Sequence, residues 1–217
     1  MKRPVDPELM PDSHRVEAFS DGVFAIVITI MVFDIRIPDG LAFGNDPGPL
    51  GQFGAILGTY ALSFLVIANL WVSHHYLIFT LRRPARSTIW FNNLLLFCVT
   101  LIPIATRFLG QHPTSPRAAA AYGVVAAACT ASFMLLRSHA ARRTHNEVFR
   151  DIHLRVLRRA SLFLAIYVAS IPLAFVSPWL AWACFVIVPP MLFLPVIRPS
   201  AATTHSPDHR ALEHSCP

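Results

Sequence analysis

Three short polar clusters interrupt an otherwise apolar chain of 217 residues: Phe19-Ser20-Asp21, Trp71 with His74-His75, and Asn92-Asn93. Hydroxyl, carboxylate, imidazole and amide groups together can relay a proton, ligate a metal, build an enzyme site or latch one helix to another. Metal ligation fits worst, because adjacent histidines on a helix point about 100° apart. The four cysteines form no Cys-x-x-Cys pair, which excludes a zinc ribbon and a thioredoxin-type motif. Cys98, Cys129 and Cys184 lie in apolar runs and read as small packing residues. His205, His209 and His214 belong to a polar tail and read as solvated. The chain has no Gly-x-Ser-x-Gly, no His-Glu-x-x-His and no phosphate loop, which argues against an enzyme.

The elements that position these clusters follow from composition. Hydrophobic residues make up 54% of the chain and charged residues 14%, against about 25% charged in soluble domains. Charge-poor runs at residues 16–35, 50–74, 89–110, 118–136, 160–176 and 179–197 are each near the length of a membrane helix. The expected fold is all-α: a polytopic membrane protein with six transmembrane helices. Residues 1–15 form a cytoplasmic N-terminus, 16–197 the six-helix domain and 198–217 a disordered cytoplasmic tail. With the N-terminus inside, the inner segments hold 15 of the 18 Lys and Arg, whereas the outer 38–50 loop has none. That asymmetry places both termini in the cytoplasm. It also accounts for the net charge of +6 without a nucleic-acid partner. The basic 137–159 stretch reads as a helical extension lying at the lipid headgroups. Pro103, Pro172, Pro189, Pro190 and Pro195 suggest kinks.

All three polar clusters then sit at the cytoplasmic ends of their helices, at one membrane depth. A network tying them together is the expected result, whether as rigid latch, proton relay or enzyme site, and a latch is the commonest outcome. Within the first helix, Asp21 and Asp34 bracket a charge-free stretch of 12 residues. Membrane-buried carboxylates need partners or water, so this helix should pack among others. Gly22, Ile26, Thr29, Ile30 and Phe33 share one face, apolar but for a single hydroxyl. Ser20 and Asp21 point elsewhere. Ordinary helix packing would account for this pattern on periodicity alone.

Arg15-x-x-x-Phe19-Ser20-Asp21, followed by Gly-Val-Phe-Ala-Ile, resembles the signature of the transmembrane protein 175 family of potassium channels in its six-helix prokaryotic form. Trp71-x-x-His74-His75-x-Leu77, and Asn92-Asn93-Leu94 with Pro103 and Thr106, are similar to that family's second and third elements. The similarity is clear over the first three segments; the last three match in number and hydrophobicity only.

The resemblance implies a homotetramer in the plasma membrane whose ion path is lined by the first helix of each subunit. It implies a hydrophobic gate at Ile26, a hydroxyl ring at Thr29 where potassium pauses, and outer apolar layers at Ile30 and Phe33. It makes Arg15, Phe19, Ser20 and Asp21 scaffold residues, held through Trp71, His74 or His75, and Asn92 or Asn93. No cofactor and no structural metal are implied; lipid, potassium and further copies of the chain are the partners. The alternative is a small proton-coupled transporter using Asp21 and the histidine pair.

Overall fold

The computed structural model describes residues 13–37, 47–79, 81, 85–142 and 147–192. The tail at 198–217, the histidines placed in it, Cys216 and Pro195 lie outside the described residues. Helix α1 (Ser13–Ile30) continues into a 3-10 turn at Met31–Asp34. Then come α2 (Pro47–Phe79), α3 (Arg86–Thr100), α4 (Ile102–Gln111), α5 (Pro116–Ala141), α6 (Glu147–Val176) and α7 (Pro178–Leu192). The described residues form no strand.

Helices α3 and α4 are two parts of a single 26-residue span. The break sits at Leu101 because Pro103 has no N–H to offer the preceding turn. Pro172, in contrast, lies within the unbroken helix α6. Counting α3 and α4 together, the described residues form the six expected apolar helices. Five are long enough to cross a membrane by length and composition, and α7 is shorter. A one-residue turn at Ser177 separates α6 from α7, where Leu180 N–H returns to Ser177 O at 3.0 Å.

Two apolar cores hold the helices. Phe24 and Val27 of α1 and Met31 of the 3-10 turn pack with Ile67, Leu70 and Leu77 of α2, with Leu95 and Val99 of α3, and with Phe133 of α5. Leu109 of α4, Ala118 and Tyr122 of α5, Phe163 and Tyr167 of α6 and Phe185 of α7 build the second. Inside lipid, helices associate through close packing and hydrogen bonds rather than through water exclusion, which favours small contact residues. Gly123 is the closest such contact. A Cβ there would stand 2.5 Å from Ser170 Oγ, 3.3 Å from Ile171 Cγ1 and 3.4 Å from Tyr167 O. Gly123→Val is therefore expected to cost about 1–3 kcal/mol by overpacking the α5–α6 crossing. A lowered melting midpoint of the purified protein would report it.

The helices extend further than the apolar runs. Helix α5 passes the expected end at residue 136 and buries Arg137, which the charge pattern had placed in an inner loop. Helix α6 contains much of the basic extension and the fifth apolar run in one piece. Backbone hydrogen bonding does not stop where hydrophobicity does, and no proline or glycine stands at either junction.

Candidate pore helix and its anchoring network

Helix α1 packs on α2, α3 and α4 and presents two different faces. Ser20, Phe24, Val27 and Met31, spaced four, three and four residues apart, are all at most 5% exposed. Two positions along, or about 200° around the helix, the opposite face is open. Ile26 is 57% exposed, Ile30 49% and Phe33 82%, with Gly22 and Thr29 exposed among them. Phe33 lies in the 3-10 turn rather than in the expected α-helical register. Side chains three apart eclipse in that geometry, which keeps Phe33 over Ile30.

A directed chain of hydrogen bonds fixes the buried face. Ser20 Oγ–H donates to Val16 O at 2.8 Å, closing a bond within its own helix. Asn92 Nδ2–H of α3 donates to Ser20 Oγ at 3.0 Å. Asn92 Oδ1 is then the acceptor for His74 Nε2–H of α2 at 2.6 Å. All three side chains are at most 1% exposed, and the His74 ring lies 5.6 Å from that of Phe24. Such bonds contribute about 0.6–2 kcal/mol each between membrane helices.

Between the adjacent pairs, the geometry selects His74 and Asn92. His75 instead faces Glu17 Oε1 at 3.3 Å and stacks on Trp71. Asn93 is exposed, one helix position (about 100°) away from the bond that Asn92 makes. Asp21 joins neither histidine: its Oδ1 accepts from Trp71 Nε1–H at 2.8 Å. Arg15 and Phe19 are exposed, and no described hydrogen bond or ion pair brings Arg15 into the network. Both bracketing carboxylates do find partners. Asp34 pairs with Arg107 of α4 at 3.5 Å, so α1 is tied at both ends.

Further polar contacts carry no local motif. Arg137 is 3% exposed although no carboxylate faces it among the described residues. Its Nη2 donates to Ser73 O at 3.1 Å, its Nη1 lies 3.2 Å from His153 Nδ1, and its guanidinium sits 5.2 Å from the Phe133 ring centre. The Ser73 carbonyl of α2 and the Phe133 ring face stand in for a counter-charge. Ser73 directly precedes His74, so α5 and α6 brace the helix that holds the network. The available signal was position: Arg137 follows Phe133 by four residues on a buried face. Deeper in the bundle, Thr106 Oγ1 reaches Ser63 Oγ at 2.8 Å, and Ser63 Oγ meets the Tyr122 hydroxyl at 3.0 Å. No cluster of three or more metal-ligating side chains forms among the described residues.

Fold and site define a multi-pass helical membrane protein whose first helix is anchored on one face and left open on the other. Residues 15–103 match the family model described as the endosomal/lysosomal potassium channel TMEM175. A potassium channel of Chryseobacterium sp. is 31% identical over 183 residues, covering 83% of this chain and 92% of the relative. One from Streptomyces collinus is 38% identical over 140 residues, covering 63% of this chain and 68% of the relative. The crystal structure of a lysosomal potassium-selective channel TMEM175 homolog from Chamaesiphon minutus superposes with a TM-score of 0.72 at 28% identity, covering 86% of this chain and 98% of that one. The chain belongs to the TMEM175 family.

Proposed function

We propose that the chain is a potassium-permeable cation channel in which four copies of α1 enclose the ion path. One observation carries this reading. The face of α1 bearing Ile26, Thr29, Ile30 and Phe33 is left uncovered, while the opposite face is fixed by buried hydrogen bonds. One helix cannot surround an ion, so the open face calls for further copies of itself. The relatives named as potassium channels supply the ion.

Within this arrangement Ile26 forms the constriction, since a ring of apolar side chains blocks ions by dewetting. Thr29 Oγ1 donates to Ala25 O and Ile26 O at 2.9 and 3.0 Å. Its hydrogen is thereby turned to the backbone, and its lone pairs are free to replace part of an ion's hydration shell. Potassium is the transported species there, not a resident cofactor. A groove of about 380 Å³ beside Ile26 and Ile30, walled by Thr100, Pro103 and Ile104, gives the constriction side chains room to withdraw. The Lys and Arg distribution supports an orientation with both termini cytoplasmic, and the bacterial potassium channels among the relatives support placement in the plasma membrane.

Planar-bilayer recording of the purified protein, with potassium on one side and sodium on the other, tests the reading. Unitary currents reversing toward the potassium equilibrium potential are expected. Saturable flux driven by a pH gradient would replace the channel with a transporter. The geometry gives that alternative little support, because no described hydrogen bond links Asp21 to His74 or His75. A monomer in both mild detergent and lipid would overturn the pore arrangement.

A further inference from the structure

Helix α6 carries a second feature that conduction does not use. Its 30 residues span roughly 45 Å, against a hydrocarbon core of about 30 Å. From Arg150 onward its exposed residues fall on one face. Toward the C-terminus that face is apolar, with Leu162 and Val168 about half exposed. One to two turns before Leu162 it turns basic, with Arg155 and Arg158 exposed beside Leu154. Neither guanidinium has an ion-pair partner among the described residues. Asp151, exposed on the same face, pairs with neither. The opposite face of α6 packs on α5 and α7, whereas α1 packs on α2, α3 and α4. The basic-to-apolar stripe therefore lies away from the pore helix.

We propose that this stripe is a binding site for an anionic phospholipid, with acyl chains along Leu162 and Val168 and the phosphate at Arg155 and Arg158. Charge complementarity selects the occupant. Two guanidiniums with no ion-pair partner among the described residues stand at the level where an apolar surface ends, which is where a lipid phosphate lies. Arg presents a fork that matches phosphate oxygens. The site requires a membrane-spanning α6 and does not depend on which ion the protein conducts.

Native mass spectrometry of the full chain in mild detergent, with phosphatidylglycerol and phosphatidylcholine supplied at equal mole fraction, tests the proposal. Phosphatidylglycerol is expected to be retained preferentially. Arg155→Gln/Arg158→Gln should weaken that retention roughly thirtyfold, at about 1 kcal/mol for each basic side chain near an anionic surface. Arg155→Lys/Arg158→Lys should keep most of it. Equal retention of the two lipids by the unmodified protein, or undiminished phosphatidylglycerol retention in the Gln variant, overturns the site. Should the double variant fail to fold, each single Gln variant carries the same test at roughly fivefold. A protein that passed no current would still give this readout, so the two proposals fail separately.

Discussion

Ile26→Asn is expected to raise the resting potassium leak at least tenfold, the equivalent of removing about 1.4 kcal/mol from the barrier to permeation. The argument begins with exposure. Ile26 is 57% exposed and stands on the face of α1 opposite the anchored one. The change therefore removes little packing within the subunit, and substitutions outside the core usually alter stability by no more than about 0.5 kcal/mol. In the proposed tetramer, four amides in place of four sec-butyl groups would keep water in the constriction and remove the cost of wetting it. Ile26→Leu, which conserves volume and apolarity, should remain closed at rest. Single-channel recording of the reconstituted protein, with its assembly checked by size, separates the outcomes. An intact tetramer of the Ile26→Asn variant that leaks no more than the unmodified protein would remove Ile26 from the gate.

Much of this architecture was legible in the sequence, and its limits have physical causes. The two faces of α1 follow from 3.6-residue periodicity, which separates Ser20 and Phe24 from Ile26 and Thr29. The shared depth of the polar clusters follows from Lys and Arg placement. The choice of His74 over His75, or Asn92 over Asn93, does not. Adjacent residues sit at the same depth, and only the rotation of each helix about its axis decides which one meets α1. That rotation is set by packing, here by Phe24 against the His74 ring. Nothing in the sequence pairs Glu17, Arg137 or His153, because charge near a helix end ordinarily means solvent. Arg137 is buried by contacts with Ser73 and His153, 64 and 16 residues away in sequence. The helical reading of 137–159 holds at its described ends, where residues 137–141 continue α5 and residues 147–159 open α6; hydropathy marks where lipid ends, not where a helix does.

Asn92→Leu is expected to lower the melting midpoint by roughly 5–15 °C, corresponding to about 2–4 kcal/mol in a chain of this size. Asn92 is 1% exposed, and its amide is used on both sides. Oδ1 accepts from His74 and Nδ2 donates to Ser20. Leucine removes both bonds and leaves the His74 Nε2–H facing apolar atoms, so the loss includes desolvation as well as the missing bonds. Within lipid the unfolded reference also finds partners, which keeps the figure at the low end for each bond. Asn93→Leu, one position along and exposed, should melt within about 0.5 kcal/mol of the unmodified protein. Additivity then distinguishes a latch from a merely polar core. Once Asn92 is gone, Ser20→Ala deletes an oxygen that no longer accepts from α3, although its bond to Val16 O persists. The double variant should therefore be less destabilised than the sum of the singles by about 0.5–1.5 kcal/mol. Strict additivity, or equal melting of the Asn92→Leu and Asn93→Leu proteins, would show that the α3–α1 bond does not hold the pore helix, and the anchor would have to be sought at Asp21–Trp71 or Asp34–Arg107 instead.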